Sequence, residues 1–309
     1  MALPGSGALS FSQIQTEFTG SNPISLSEYY RTNGLVTPNN TGVPTSGAIS
    51  VANFYGAVRQ FAFAIVSNAT TTQNLRTLAV AAGWDQAAPV VATINSGVTL
   101  RGNAGAGAAN SSSVVAFGAN SRPGAAGGTA LVVNGSWPGG VSLINNGTVN
   151  GGGGGGGGGG STAAGGAGGA GGTGILVSVA LSITNNSAIG GGGGGGGGGS
   201  AWGTGGIVRS GGGGGGGAGI STGGGGGNWE GIDGGPGGVG TSTAGGAGGF
   251  NDQNYSRGGA GGARGAAGVR PPNGFSGGFG GNGGVGGAPV SGNSYVTWVA
   301  LGTLYGTRV

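Results

Sequence analysis

Two uninterrupted runs of ten glycines, residues 151–160 and 190–199, constrain the fold of this chain more than any other feature. Glycine has no side chain, so these runs cannot build a hydrophobic core. Ordering a backbone costs roughly 1–2 kcal/mol per residue and more for glycine, so each run must recover on the order of 10–20 kcal/mol. One isolated helix cannot supply this. Several segments packed side by side can, because their N–H and C=O groups then pair with neighbours.

Around and after these runs the glycines keep a period of three. The residues between successive Gly-Gly pairs are Ala164, Ala167, Ala170 and Thr173, then Ala244, Ala247 and Phe250, then Ser276, Phe279, Asn282, Val285 and Ala288. This period matches neither an α-helix nor a strand, but it is the repeat of the polyproline-II helix. A flexible linker is the alternative, yet a linker has no reason to keep the register. We therefore predict a sandwich of polyglycine-II helices, each about 30 Å long, with pure glycine runs inside and every third side chain outside.

The composition argues against an enzyme, a metal protein and a nucleic-acid binder. Charged residues make up 5% of the chain, histidine and cysteine are absent, and the net charge of +4 comes from scattered arginines. The commonest general base and metal ligand is therefore missing, as are disulfides, and there is no basic stripe. No secretion signal is visible, and no apolar run approaches the ~20 residues of a membrane span. We expect a virion or extracellular structural protein made in a cytoplasm, with no cofactor, no nucleic-acid partner and no membrane insertion.

A threefold repeat occupies the N-terminal region. Its copies are residues 9–14, 24–29 and 49–54. In the first two copies a serine is followed three residues later by Gln13 or Glu28, which is the signature of a capping box. The pattern predicts three short helical turns around a miniature core. We interpret residues 1–58 either as a small structural module or as an attachment module that docks the chain on a larger assembly.

A globular pattern follows the module. Residues 61–66 alternate as a strand does, residues 75–82 have one apolar helical face, and residues 89–94 form a second apolar run. This predicts a β-α-β unit. A strand-and-turn motif at 144–148 recurs loosely at 184–188 and leads each time into a ten-glycine run.

The expected fold is thus mostly neither α nor β: a polyglycine-II sandwich on a small α+β platform, preceded by a short docking module. The expected boundaries are 1–58 for the module, 59–149 for the platform, 150–290 for the glycine-rich domain with a β excursion at 174–189, and 291–309 for a C-terminal strand segment.

Several segments resemble a known group of proteins. They are residues 10–15, 21–30, 49–57, 145–149 and 295–303. These segments are similar to tailed-phage tail proteins with glycine-rich domains, among which the family of adhesins at the tip of T-even-type long tail fibres is nearest in function. The resemblance implies a polyglycine-II sandwich with host-specific loops at its distal end.

Threading indicates which loops lie at that end. If the chain leaves the platform at Asn150 and each glycine segment reverses direction, residues 200–210, 228–233 and 250–257 fall distal, whereas 220–222 and 241–243 fall proximal. The candidate receptor-binding residues are the aromatic and charged residues of the distal set, namely Trp202, Arg209, Trp229, Glu230, Asp233, Phe250, Asp252, Tyr255 and Arg257. On this scheme residues 269–276 would be proximal, and residues 289–309 would have to run back along the edge.

The sequence therefore predicts a non-enzymatic adhesin on the distal tail fibre or tail tip. Its partners would be other phage tail proteins and a bacterial outer-surface receptor, either an outer-membrane protein or lipopolysaccharide. A purely structural tail component without receptor contact is the main alternative. An ice-binding bundle is a third, but it favours a uniform Ala/Thr/Val face. Glu230 and Asp233 could be imagined as a glycosidase acid pair, yet two acids on one loop are more typical of solvated groups.

Overall fold

The computed structural model describes residues 3–31, 33, 35–36, 40–108, 122–160, 164–200, 214, 216–219, 228–229, 232–233, 236–250, 257–272 and 279–309. Within these ranges the chain forms an N-terminal module of helical turns, a stack of short strands and a layer of extended glycine-rich segments. No helix in these ranges is long and apolar enough to cross a membrane.

The N-terminal module contains the three predicted turns. They are α1 (Phe11–Phe18) and two 3-10 helices, Leu26–Tyr29 and Val51–Phe54. A serine precedes each turn, and its backbone N–H donates to the side chain three residues later, which is Gln13, Glu28 or Asn53. The third copy therefore closes its own cap through an asparagine.

The miniature core of this module is also present. Ile14, Tyr29 and Phe54 occupy the same position in the three turns, and each is 0% exposed. The Tyr29 and Phe54 rings meet edge to face with centroids 6.0 Å apart, a favourable aromatic geometry. The module is tied to the next part of the chain by the Glu17 carboxylate, which accepts the backbone N–H of Arg59 at 2.7 Å.

The described residues contain fifteen short strands. In chain order they are β1 (Phe61–Ile65), β2 (Gln73–Asn74), β3 (Val90–Ile94), β4 (Thr99–Arg101), β5 (Leu131–Val133), β6 (Val141–Asn145), β7 (Thr148–Asn150), β8 (Ile175–Val177), β9 (Leu181–Asn185), β10 (Ala188–Gly190), β11 (Asn228–Trp229), β12 (Ile232–Asp233), β13 (Val290–Ser291), β14 (Val296–Ala300) and β15 (Thr303–Tyr305). Apart from the antiparallel β11–β12 pair, they form three parallel sheets. The first has the order β1-β3-β6-β9-β14, the second β2-β5-β8-β13 and the third β4-β7-β10-β15.

The strands stack as the rungs of a three-sided parallel β-solenoid, because the chain visits the three sheets in a fixed order. The circuit β5, β6, β7 is repeated in register by β8, β9, β10, and β13, β14, β15 form the last rung. Alternate side chains face the enclosed core, where Leu143 stacks on Ile183 and Val149 on Ile189. All four are 0% exposed.

The predicted β-α-β unit exists as β1, α2 (Leu75–Ala81) and β3, and β1 pairs with β3 in parallel. It is only the beginning of the solenoid, however. Residues 174–189, expected as an excursion from the glycine-rich domain, form the rung made of β8, β9 and β10. Strands of three to five residues are too short to stand alone, so the separate β segments of the sequence are stacked on one another.

Regularly spaced backbone hydrogen bonds join the glycine segments. Every third N–H of the run 151–160 donates to the run 190–199 at 2.9 Å; the donors are Gly151, Gly154, Gly157 and Gly160. The intervening N–H of Gly155 donates to Ala125 at 2.8 Å, on a different neighbour. Both ten-glycine runs are buried throughout, as predicted. The third residues of the Gly-Gly-X stretches lie on the surface, with Phe279 62% and Val285 66% exposed.

The glycine layer also includes a part of the chain that the sequence assigns to the platform. Gly105 donates to Gly153 at 2.8 Å, and Ala125 donates to Ala106 at 2.8 Å. The stretches 102–108 and 122–128 therefore lie beside the first ten-glycine run. Three excursions build the layer, after β4, after β7 and after β10, and each returns to the solenoid in the second sheet.

The expected path of the C-terminal region is wrong. A tight turn at Arg264 and Gly265, where Gly265 has φ +66°, lies next to the solenoid, since the Gly265 N–H donates to Gly191 at 2.9 Å. Residues 266–272 then run away from the solenoid and 279–288 return to it, so β13 continues directly into the last rung. Within 269–276, the described residues 269–272 thus lie on an outgoing segment. The turn escaped prediction because one left-handed glycine among many leaves no compositional mark.

Candidate functional site

The glycine layer has two ends, which we name by their distance from the solenoid. Gly160 and Ser200 mark the distal end, ten residues beyond β7 and β10, where a parallel bridge joins them. Gly219 and Thr241 mark the proximal end, where the Gly219 N–H donates to Thr241 at 2.8 Å. In the structure, residues 241–243 therefore lie on the proximal side, next to the solenoid, where the predicted alternation of loops puts them.

Phe250 and Arg257 close one distal loop. Their backbones form an antiparallel bridge, and the next pair inward is joined by the Gly258 N–H, which donates to Gly249 at 2.9 Å. The Arg257 guanidinium carbon lies 4.6 Å from the centroid of the Phe250 ring. Phe250 is 46% exposed and Arg257 is exposed as well. A cation–π contact at such a site contributes about 0.5–1 kcal/mol and leaves both groups accessible to a ligand.

The segment 228–233, predicted to be distal, forms a hairpin. Its strands β11 and β12 pair Asn228 with Asp233 and Trp229 with Ile232. Residues 236–240 lead to the proximal turn at Thr241, and the Gly238 N–H donates to Ala247 at 2.7 Å. The structure thus brings the backbone positions of Trp229 and Asp233 together in one hairpin.

The remaining candidate residues lie outside the described residues. They are Trp202, Arg209, Glu230, Asp252 and Tyr255. Some residues that flank them are described. Ser200 precedes Trp202 and Arg209 in the chain, and Phe250 and Arg257 stand on either side of Asp252 and Tyr255.

Two further residues, which were not among the candidates predicted from the sequence, reach the distal end. The backbone oxygen of Phe279 accepts the N–H of Gly165 at 3.1 Å, and that of Arg122 accepts the N–H of Gly158 at 3.1 Å. The Gly-Gly-X register could have indicated Phe279 once the turn at Gly265 was known. No sequence pattern indicates Arg122, because the composition of its segment does not identify it as part of the glycine layer.

Among the described residues, Arg257 is the titratable candidate residue with a side-chain contact at this end. No group of three or more metal-ligating side chains occurs among them. The Asp85 carboxylate lies on the solenoid side, where the backbone N–H groups of Ala88 and Ala87 hold its pKa below the ordinary value. That carboxylate closes a turn after α2. The distal end offers an aromatic ring and a guanidinium group, which are typical of recognition surfaces.

Three cavities lie on the solenoid side of the described residues. One, of about 430 Å³, runs along the starts of strands in the first sheet and is lined in part by Val90, Val141 and Leu181. Another, of about 520 Å³, lies beside α2, and a third, of about 140 Å³, lies next to Asp85. None of the three is lined by a candidate residue.

Residues 60–309, which include the whole solenoid and the glycine layer, match the family described as phage tail fibre adhesin Gp38. The chain belongs to this family. It is accordingly a phage tail fibre adhesin, a component of the virion tail. The matched region begins just after the N-terminal module, so the module lies outside it.

A solved structure has a similar fold. It is the crystal structure of the gp37-gp38 adhesin tip complex of the bacteriophage S16 long tail fiber, with a TM-score of 0.54 and 21% sequence identity. The similarity covers 98% of this chain and 99% of the matched chain. No curated protein matches the sequence.

Proposed function

We propose that this adhesin binds a bacterial outer-surface receptor through the distal end of its glycine layer. The observation that carries the proposal is the exposed Phe250–Arg257 pair at that end. Exposed aromatic and arginine side chains are enriched among residues that dominate binding energy. The receptor would be an outer-membrane protein or lipopolysaccharide, contacted by the aromatic and charged residues of the distal loops. We infer no catalytic role for the chain.

We further propose that the glycine segments are polyglycine-II helices packed as a sandwich. Two observations support this. The hydrogen bonds of the run 151–160 recur at every third residue and alternate between neighbours, which is what a helix with three residues per turn requires. The side chains of the Gly-Gly-X stretches also lie outside. Such a sandwich would hold the distal loops on a rigid support, which reduces the entropic cost of binding.

The N-terminal module, residues 1–58, is proposed to dock the adhesin on another tail protein. It has a core of its own, with Ile14, Tyr29 and Phe54 buried. Phe11, at the start of α1, is 46% exposed and offers an apolar contact. The solved structure of similar fold is that of a gp37-gp38 complex, and we propose an equivalent tail-fibre partner for this chain.

Competition for adsorption tests the receptor proposal. The purified full chain, added to host cells before the phage, should occupy the receptor and reduce phage adsorption in proportion to its concentration. The matched control is the same chain with Phe250→Ala and Arg257→Ala, which should compete much less at equal melting temperature. If the unaltered, folded chain fails to compete at any concentration, the chain is a structural tail component and the proposal is wrong.

A further inference from the structure

A polar row lies on the outer face of the third sheet, where the solenoid meets the proximal turns of the glycine layer. Arg101, Asn150, Gly190 and Tyr305 are in-register neighbours on β4, β7, β10 and β15. In-register residues of parallel strands share one face. Because the preceding residue of each strand, such as Val149, faces the core, this row faces away from it.

The side chain of Arg264 reaches over this row from the proximal turn. Its Nε donates to the backbone oxygen of Ser242 at 3.0 Å, and its guanidinium carbon lies 5.3 Å from the centroid of the Tyr305 ring. In the amide orientation that satisfies both groups, the side-chain oxygen of Asn150 accepts from Arg264 Nη2 at 3.3 Å. Partial burial, together with the positive charge of nearby Arg101, lowers the pKa of Arg264.

Gly190 provides the space for this arrangement. A Cβ atom there would lie 3.0 Å from the terminal amide of Asn150 and 3.3 Å from the Cβ of Tyr305. A side chain would therefore crowd the gap between Asn150 and Tyr305.

Within the described residues, no ion pair joins Arg101 or Arg264 to a carboxylate. Arg101 Nε is buried and makes no hydrogen bond in the described structure. The chain has only six acids. Glu17 and Glu28 lie in the N-terminal module and Asp85 lies after α2, whereas Glu230, Asp233 and Asp252 belong to segments predicted to be distal. Partly buried guanidinium groups that repel each other and lack a counter-charge reduce stability.

We propose that Arg101 and Arg264 together bind one oxyanion of the phosphate class beside Asn150. A guanidinium group presents a planar fork of donors that fits phosphate oxygens. A phosphate group carries more charge and more acceptor oxygens than a carboxylate, so it suits two guanidinium groups and the unpaired Nε of Arg101. The site lies at the proximal end and is separate from the distal surface proposed to bind the receptor. Its ligand is free inorganic phosphate or the phosphate ester of a saccharide.

Calorimetric titration of the full chain tests this site, with inorganic phosphate and glucose 1-phosphate as probes at constant ionic strength in chloride. At least one probe should bind, and the tighter of the two identifies the source. Arg101→Gln and Arg264→Gln should each weaken binding about tenfold, which corresponds to the loss of one charge-assisted hydrogen bond. Arg270→Gln, at an exposed position of the glycine layer, should bind as the unaltered chain does.

Thermal melts provide an independent readout. Phosphate should raise the melting temperature of the unaltered chain more than that of the Arg101→Gln variant. If Arg264→Gln does not fold, Arg101→Lys keeps the charge but loses the fork, and it should still bind more weakly. Absence of binding for both probes, or equal affinities of the unaltered chain and the Arg101 variants, would overturn the proposal.

Discussion

A Cβ atom on Gly155 would lie 1.9 Å from the carbonyl oxygen of Ala106 on the neighbouring segment. On Gly194 it would lie 1.9 Å from the carbonyl oxygen of Gly284. Both obstacles are backbone atoms, so no side chain can rotate away to make room. We expect Gly155→Val and Gly194→Val to prevent folding or to lower the free energy of unfolding by more than about 4 kcal/mol, as measured by thermal and denaturant melts.

Ala167→Ser is the matched control for these variants. Ala167 is exposed on the outer edge of the glycine layer, where a hydroxyl group meets solvent. Its melting temperature should stay close to that of the unaltered chain. Equal tolerance of the valine and serine substitutions would show that the segments are not held at hydrogen-bonding distance.

Removal of residues 1–58 should separate attachment from receptor binding. The module has its own core, and the deletion breaks few described contacts to the solenoid, among them the bond from Arg59 to Glu17. We expect the truncated chain to fold and to bind host cells but to be missing from virions, as measured by cell-binding assays and by immunoblots of purified particles. Incorporation at the normal level would instead place the docking surface on the solenoid.

The N-terminal module should lose stability at alkaline pH because of Tyr29. Burial, and to a smaller extent the Glu28 carboxylate, raises the pKa of Tyr29 above its ordinary value of 10.0. A group whose pKa is higher in the folded state contributes its stability fully below the unfolded-state pKa, and this contribution is lost as pH rises through the folded-state value. The free energy of unfolding, from denaturant titrations of the chain, should therefore fall above about pH 10.

Tyr29→Phe should remove that component of the pH dependence. Tyr295→Phe, at a position 51% exposed in the last rung, is the matched control and should behave as the unaltered chain does. An unchanged alkaline transition in the Tyr29 variant would mean that another group causes it.

The Phe250–Arg257 pair should be coupled in the stability of the free chain. Phe250→Leu and Arg257→Gln each remove the cation–π contact, which is already formed without a receptor. A double-mutant cycle on the free energy of unfolding should therefore give a coupling energy of about 0.5–1 kcal/mol. A coupling energy near zero would mean that the two side chains do not interact in solution.

Local patterns in the sequence predict the parts of this fold that depend on neighbouring residues. The capping boxes at Ser10 and Ser25 specify the helical turns, and the apolar run before Gly83 specifies α2. The period of three around Ala167 identifies the outer edge of the glycine layer. Each of these signals lies within a few residues of the structure that it determines.

The rest depends on contacts between distant residues, which one sequence does not reveal. Strands β7 and β10 pair because Val149 and Ile189, which are 40 residues apart in the sequence, stack in one core. The assignment of residues 102–108 to the glycine layer rests on bonds to segments such as that of Gly153, and their own composition does not show it. At the candidate site, the sequence selected Phe250 and Arg257 but could not show that they contact each other.

The most direct test of receptor recognition by the distal end is the affinity of the purified chain for host cells after alanine substitution of four residues in the segments predicted to be distal, Trp202, Trp229, Tyr255 and Arg257. Loss of one such residue typically costs ~2 kcal/mol or more, which is about 30-fold in affinity. We predict that the four substitutions together abolish detectable binding while the melting temperature stays near that of the unaltered chain, and that Thr243→Ala in a proximal turn changes neither. Undiminished binding of the folded four-residue variant would contradict recognition by the distal loops.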